Sequence, residues 1–508
     1  MATDLVIGID SSTTATKAIA WDPDGRAVAE GRAPVAMRSP RPGWFEQSVE
    51  DWWGSLRTAL GALLEGIDPA RLAGLAITNQ RETVGFLDSR GKELRPAILW
   101  LDERCREDVD LLAERIGIAR FRAITGKTPD PTPAVFSLHW MKRNEPENWR
   151  RLARAVDVHG YLVLRLTGVP ATSWASADPH GLLDLRSMRY SPELLAALDL
   201  SPERLLPPVP PGSLLGEVTP EAARETGLPA GLPVFAGGGD GQAAGLGVGV
   251  TGPGRAYLNL GTAAVSGIHA RTFAADPAFR TLTALDGRGY VFELCLRTGS
   301  FLTDWMVGRI FGFDPARDPG CYDRLEAEAR RVPAGSGGLL LLPYWSGAMP
   351  PWWDPDARGA VIGLAAEHGR GHLYRALMEA VALDMAMGYE AVERTTGTPI
   401  EEIQVIGGGA RSPLWRQILA DATGRPIRLS ATIEATCLGA AMLAAAGAGW
   451  YADAAAAAAA MRGATVEENR PDPRAREAYA PLRELHRELY PSLRGIFARL
   501  AALRRAGR

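Results

Sequence analysis

The chain opens by alternating short apolar runs with polar turns. Leu5–Ile9 is apolar, the hydroxyl-rich stretch DSSTTATK follows, and Thr16–Trp21 is apolar again. Asp22-Pro23-Asp24-Gly25 is strong turn chemistry, and Arg26–Arg32 returns, which predicts a three-stranded meander. The apolar period then lengthens. Val49, Trp52, Trp53, Leu56, Leu60, Leu63 and Leu64 repeat at helical spacing. Ser48, with Asp51 three residues on, is an acidic variant of the capping box that starts a helix. The run RLAGLAIT reads as a buried strand. The order is strand, strand, strand, helix, strand.

The scheme recurs from about Thr251. Strand-like pieces are Arg255–Leu260, Ala264–His269, Tyr290–Leu294 and Gly338–Tyr344. A long helix from His372 to about Thr396 carries Leu373, Leu377, Val381, Met385, Gly388 and Val392 on one face. The strand Ile403–Ile406, the turn GGGARS, the helix Pro413–Thr423 and the strand Pro426–Leu429 follow. Beyond the patterned segment Thr436–Trp450, the alanine run Ala454–Ala460 predicts a plain surface helix. Two copies of one α/β unit would bury two cores and leave a cleft between them, a favoured place for ligands. The expected domains are 1–250 and 251–508.

Length agrees with this division, because 508 residues exceed what one ordinary core serves. A net charge of -3 argues against nucleic acid as a partner. Cys105, Cys295, Cys321 and Cys437 lie far apart with no C-x-x-C pair, as suits thiols in a reducing compartment. The start MATDLVIGID lacks a basic segment and a long apolar core, so it does not read as a signal peptide. No apolar run reaches the length of a membrane span. A cytoplasmic protein without a membrane partner is the expectation.

Four turns carry candidate chemistry. In DSSTTATK, backbone N–H groups can form an anion nest, Thr13 and Thr14 add hydroxyl donors, and Lys17 adds charge. Asp10 would repel a phosphate directly, so its sensible role is to hold a hydrated Mg2+ beside one. Leu260-Gly261-Thr262-Ala263 is a second short turn between strands. Two such turns facing across a cleft can grip a triphosphate from both sides. Gly407-Gly408-Gly409 follows a strand and opens a helix, which suits a phosphate or a closely packed nucleotide. In AGGGDGQAAGLG, Asp240 stands at a strand end, placed to act as a general base toward a substrate hydroxyl. Each turn also has a plainer reading: a polar hairpin, a tight strand-to-helix turn, or, for Asp240, an N-cap.

A further cluster lies in ITNQRETVGFLD and AILWLDER. Arg81 and Glu82 end one strand, with Trp100, Asp102 and Arg104 at the end of another. Directional hydrogen bonds beside an aromatic face suit a small polyhydroxylated molecule; a surface ion pair is the plainer alternative. Two motifs are decoys. Gly247–Gly252 matches G-x-G-x-x-G without the flanking strand and helix, and Gly126-Lys127-Thr128 lacks the earlier glycine of a P-loop, having Phe121 there.

In this order the motifs resemble the FGGY carbohydrate kinases: GIDSSTTATKA, GWFEQ, ITNQRET, LWLDER, GGGDGQAAGLG, LNLGTA, LLPYWSGAMPPWWDPDARGAVIGL and GGGARSPLWRQILAD. The resemblance implies two ribonuclease H-like domains of the actin and hexokinase type around a central cleft, with ATP and Mg2+. It implies Asp10 at the metal, Thr13, Thr14 and Lys17 at the transferring phosphoryl, and Gly261 and Thr262 on the phosphates from the other domain. Gly408 and Gly409 would lie against adenosine, and Asp240 would be the base. Arg81, Glu82, Trp100 and Gln242 would contact the acceptor. Ser12 departs from a usual glycine. ITNQRET is similar to glycerol kinases, whereas the LNLGTA loop and the PYWSGAMPPWWDPDARGAVIGL block look like xylulokinases. A ketopentose such as D-xylulose is the first expectation and glycerol or another short polyol the alternative. A sensor on the same fold would have lost Asp10 or Asp240, and both are present. Family members often form dimers, so a homodimer is a further implication, although no residue pattern here demonstrates one.

Overall fold

The meander forms as Leu5–Ser11 (β1), Ala15–Trp21 (β2) and Ala27–Pro34 (β3) in a computed structural model that describes residues 3–506. The first two and last two residues, which bound the expected domains and include the start of MATDLVIGID, lie outside the described residues. Val49–Leu64 (α1) starts at the capping box as read: Ser48 N donates to Asp51 Oδ2 at 3.4 Å. Its Trp52, Leu56, Leu60 and Leu63 are buried against the sheet. Leu72–Asn79 (β4) pairs parallel to β1, Leu214–Glu217 (β5) follows, and Pro233–Gly239 (β6) pairs parallel to β4. The sheet order is β5-β6-β4-β1-β2-β3. Asp240–Gly247 (α2) leaves directly from β6.

The second half repeats the plan. Arg255–Leu260 (β7), Ala264–Ala270 (β8), Arg280–Thr283 (β9) and Tyr290–Leu296 (β10) are antiparallel neighbours, and Glu402–Ile406 (β11) and Ile427–Ser430 (β12) continue in parallel. With Thr465–Asn469 (β13) at the edge, the order is β9-β10-β8-β7-β11-β12-β13. Five consecutive strands of each sheet thus share one topology: a meander, then two parallel strands. The helices of the second half include Ser300–Trp305 (α3), Arg370–Thr396 (α4), Pro413–Thr423 (α5), Ala435–Gly447 (α6), Ala454–Met461 (α7) and Pro473–Ala506 (α8).

Three features differ from the pattern reading. Leu340–Leu342, inside the expected strand Gly338–Tyr344, pairs only with Ala360–Ile362 outside the main sheet. The segment between β4 and β5 packs a third core around Phe86, Phe121, Phe136 and Trp140, beside a small four-stranded sheet. The alanine run is not a plain surface helix: Ala454, Ala457, Ala458 and Met461 of α7 are buried in one cluster with α6 and with Val6, Ile19 and Trp21 of the first sheet. Alanine is used there because the packed backbones leave room for one carbon.

The same closeness joins the halves. Helix α6 lies on α2 and on the first sheet. A Cβ on Gly439 would stand 2.0 Å from Ala243 O, and one on Gly8 would stand 1.9 Å from Cys437 O. Both positions require glycine because backbone meets backbone. Lys127, from the rejected P-loop look-alike, is buried where Asp178 meets Thr281 of the second half. It bonds Asp178 and Thr281 O, which removes it from any phosphate role.

Candidate active site

Three parallel strands of the first sheet deliver the site. Asp10 near the end of β1 pairs with Thr78 of β4, and Asn79 of β4 pairs with Gly239 of β6. Asp10, Arg81 and Asp240 therefore leave neighbouring carboxyl ends, where open α/β sheets bind ligands. The first turn follows at once. Ser12 donates to Ala15 O at 2.8 Å, and its φ is not positive, so serine costs nothing where a glycine is usual. Thr13 and Thr14 remain accessible. Gln47 props this turn from below: its Nε2 donates to Thr13 O at 2.6 Å while its Oε1 accepts from Trp52 Nε1 and Gln80 Nε2.

A cavity of about 470 Å3 lies between the halves, lined by Arg81, Glu82, Trp100, Asp240 and Thr262 among others. Trp100 Nε1 donates to Thr13 Oγ1 at 3.0 Å, which ties the cavity wall to the first turn. Arg81 Nε donates to Asp240 Oδ1 at 2.9 Å, and Gly241 N donates to the same oxygen at 2.7 Å. Among the described residues Asp240 Oδ2 has no hydrogen bond, and the side chain is 42% exposed. One carboxylate oxygen is anchored and the other is free for the cavity. Gly239, not Asp240, is the N-cap of α2.

Behind Arg81 lies a buried network that spans the halves. Arg81 Nη1 donates to Glu293 Oε2 at 2.6 Å, Arg280 bonds Glu293 Oε1, and Arg280 Nη1 donates to Glu82 Oε1 at 3.1 Å. Glu82 sits at φ 61°, a strained value for a non-glycine residue, of the kind found at functional sites. Burial pushes Glu82 up to about 7 against the pull of Arg280 and Arg81. Burial would also raise Glu293, but Arg280 and Arg81 outweigh it and hold Glu293 at about 2.

The second turn connects this cavity to another. Thr262 faces the first cavity, Thr262 O accepts from Gly299 N at 2.8 Å, and Gly261 O accepts from Ser300 N at 2.7 Å. Ser300 begins α3 and lines a second cavity of about 720 Å3 together with Gly408, Gly409, Ser412 and Trp415. Gly408 has open space where a Cβ would be, and at Gly409 a Cβ would come within 2.8 Å of Trp415. The three turns thus lie in the order Asp240, Thr262, Gly261, Gly409, from one cavity to the other.

Asp10 is pushed up to about 8 by burial and by the charge of Asp240, with Lys17 opposing. Its Oδ1 is buried without a hydrogen-bond partner. Lys17 Nζ pairs with Glu434 Oε2 at 2.5 Å, from the residue that precedes α6. Among the described residues no group of three or more acidic, histidine or cysteine side chains is gathered to hold a metal ion alone. An orphaned carboxylate oxygen beside this hydroxyl-bearing turn fits a cation that takes its remaining ligands from a bound ligand and water.

Models of the FGGY family of carbohydrate kinases match this chain: the N-terminal domain over residues 5–247 and the C-terminal domain over residues 256–448. The chain belongs to the FGGY family of carbohydrate kinases. It is 34% identical over 429 residues to a xylulose kinase of Escherichia coli, covering 83% of this chain and 86% of that one. It is 33% identical over 456 residues to a glycerol kinase of Alkalilimnicola ehrlichii, covering 87% and 89%. The crystal structure of a xylulose kinase from Rhodospirillum rubrum superposes with a TM-score of 0.90 at 32% identity, over 97% of this chain and all of the other. The fold is the two-domain actin and hexokinase type, and the protein is a phosphotransferase that acts on an alcohol group. Kinases of this family use ATP with a divalent metal, usually Mg2+.

As an FGGY kinase the chain departs from the sequence reading at two side chains. Gln242 does not line the cavity that Arg81 and Asp240 share. It is buried, and its Nε2 donates to Ala175 O and Thr283 O at 3.3 Å each. Two residues along a helix turn a side chain about 200° away, so Asp240 and Gln242 face opposite ways. Lys17 is occupied by Glu434 rather than left free for phosphate. The residues missed are Arg280, Glu293 and Gln47. The signal for Glu293 was legible: a carboxylate in the apolar run YVFELCL is either paired or costly. One partner, Arg280, lies on strand β9, which the pattern did not reveal; the other, Arg81, was already a candidate. No helix of the described residues is long and apolar enough to cross a membrane, and all four cysteines are free thiols.

Proposed function

We propose that the protein transfers the terminal phosphoryl group of ATP to a hydroxyl of a small sugar of ketopentose size, with Asp240 as the general base. The observation that carries this is the division of labour within one carboxylate. Oδ1 is fixed by Arg81 and Gly241, so Oδ2 keeps its orientation while remaining free to take a proton. Arg81 and Glu82 orient the acceptor, and the face of Trp100 packs on its C–H groups. Thr13 and Thr14 from one side, and Gly261 and Thr262 from the other, position the phosphates; Gly408 and Gly409 border the adenosine. Asp10 would hold Mg2+, which when bound neutralises charge on the phosphates. Phosphoryl transfer needs mainly this positioning and charge stabilisation.

The relatives named as xylulose kinases and the cavity volume of about 470 Å3 support a sugar over a three-carbon polyol. Glycerol remains the alternative, because Arg81 and Glu82 stand in the ITNQRET motif shared with glycerol kinases. The test is ADP release from Mg-ATP with ketoses and short polyols supplied one at a time. Stimulation by a ketopentose at least tenfold above glycerol supports the reading. Stimulation by glycerol alone replaces the substrate, and stimulation by none rejects a neutral acceptor.

A further inference from the structure

Four carboxylates line the acceptor cavity, and each already has an arginine. Glu82 pairs with Arg280 at 3.1 Å, Asp102 with Arg104 at 2.8 Å, Glu103 with Arg106 at 2.7 Å and Asp240 with Arg81 at 2.9 Å. One more arginine, Arg297, lines the cavity beside Arg81, Arg106 and Arg280. Among the described residues no carboxylate lies within 4.0 Å of its guanidinium, and the side chain makes no hydrogen bond. It is partly buried, at the end of β10. Arg297 therefore brings a positive charge that no protein group neutralises into a partly enclosed space, where charge is felt more strongly than in water.

Its position within the cavity indicates which part of a ligand it would meet. Arg297 and Arg106 also line an adjoining outer cavity of about 250 Å3, whereas Asp240 lines only the inner one. An acceptor with its reacting hydroxyl at Asp240 would extend its other end toward Arg297. The outer cavity carries Asp110 and Asp130, which lie beyond ion-pair distance of Arg297. A planar guanidinium without a partner matches a carboxylate, which it can grip through two parallel hydrogen bonds.

We infer that the acceptor carries a carboxylate at the end remote from the phosphorylated hydroxyl and that Arg297 receives it, so that the substrate is a sugar acid of about five carbons. This rests on the kinase reading and replaces its neutral ketopentose by a sugar acid of similar size. Arg81 and Arg280 are committed to Glu82, Glu293 and Asp240, so they hold the hydroxyl-bearing part, and Arg297 selects for the charge. The phosphates of ATP are the other source of negative charge near Arg297, because Gly299 N, two residues on, bonds Thr262 O.

The experiment measures kcat and KM with Mg-ATP for two sets of acceptors: neutral D-xylulose and glycerol, and the four- and five-carbon aldonates. It uses the full-length protein and its Arg297→Gln and Arg297→Lys variants. The expected result is at least one aldonate with kcat/KM tenfold or more above both neutral acceptors. Arg297→Gln should raise the KM for that acid at least tenfold and collapse the acid-to-neutral ratio, with partial recovery in Arg297→Lys. Turnover of neutral acceptors but of no acid overturns the inference and leaves the kinase intact. A rise in the KM for ATP that equals the rise for the acceptor also overturns it, since Arg297 would then serve the phosphate donor. Turnover of neither set rejects the kinase reading and the inference together. Thermal unfolding with aldonate and no nucleotide gives a second readout: the acid should stabilise the wild type and not Arg297→Gln.

Discussion

Replacing Asp240 by asparagine removes proton acceptance while keeping shape. The anchored oxygen survives, because Asn Oδ1 can still accept from Arg81 Nε and Gly241 N at the observed 2.9 and 2.7 Å. The side-chain atom that faces the cavity becomes an amide NH2, which donates to a hydroxyl and cannot deprotonate it. A positioned general base contributes roughly 10²- to 10⁴-fold, so kcat should fall by that factor, or about 3–5 kcal/mol of transition-state stabilisation. The KM for the acceptor should change little, since Arg81, Glu82 and Trp100 keep their places. Stability should barely move: Arg81 retains Glu293, and the Asp240 end of the pair is close to half exposed, where ion pairs contribute little. The assay is steady-state ADP release with saturating Mg-ATP, read beside a thermal melt. A variant with kcat within threefold of wild type, folded and melting normally, would refute the assignment of the base.

Three other changes probe the frame. Glu293→Gln leaves two buried arginines short of a counter-ion; breaking a buried pair costs about 3 kcal/mol. That corresponds to a Tm loss of roughly 6–12 °C, and a loss under 2 °C would mean the network is not a bridge between the halves. Glu82 stands at about 7 in the folded protein against 4.5 free, so folding takes up a proton between those values. Its contribution is therefore favourable at low pH and is lost as pH rises through that window, by about 3 kcal/mol at most. Glu293 runs the other way, losing its contribution only as pH falls from 4.5 toward 2. Melts in EDTA from pH 5 to 7.5 should slope downward, and less so in Glu82→Gln; equal slopes would reject the raised value. Gly439→Ala places a carbon 2.0 Å from Ala243 O and should cost roughly 1–3 kcal/mol by forcing α6 off α2. An unchanged Tm would show that the helices do not approach so closely.

Local pattern revealed the elements whose burial is one-sided and regular. Helix α1 announced itself because Trp52, Leu56, Leu60 and Leu63 repeat on one face, with Ser48 and Asp51 at its start. The two meanders were legible because turn residues separate short apolar runs. Strand β9, RTLT, was not: it is four residues long, and its burial comes from docking against the other half of the molecule. Leu340–Leu342 failed in the opposite sense. It is a true strand by composition, yet composition does not say which sheet receives it. The alanines of α7 gave no periodic signal because a helix of one small residue looks alike on every face. Only the neighbouring sheet and α6 decide which face is buried.

The site divides along the same line. Asp10, Asp240 and the glycine turns were legible because strand ends and turns are local, and local sequence determines which backbone is left bare. The electrostatic partners were not, because they join residues about two hundred positions apart. Arg81 is anchored by Asp240 and Glu293, and Glu82 is held by Arg280. Two of the three partners, Glu293 and Arg280, belong to the second half. That division has a consequence for catalysis. The residue that orients the base also bonds across the cleft, so any opening of the halves that breaks Arg81–Glu293 loosens the hold on Asp240 Oδ1 as well. An open molecule would have a mobile base and a closed one a fixed base, which couples chemical competence to closure and limits phosphoryl transfer to water.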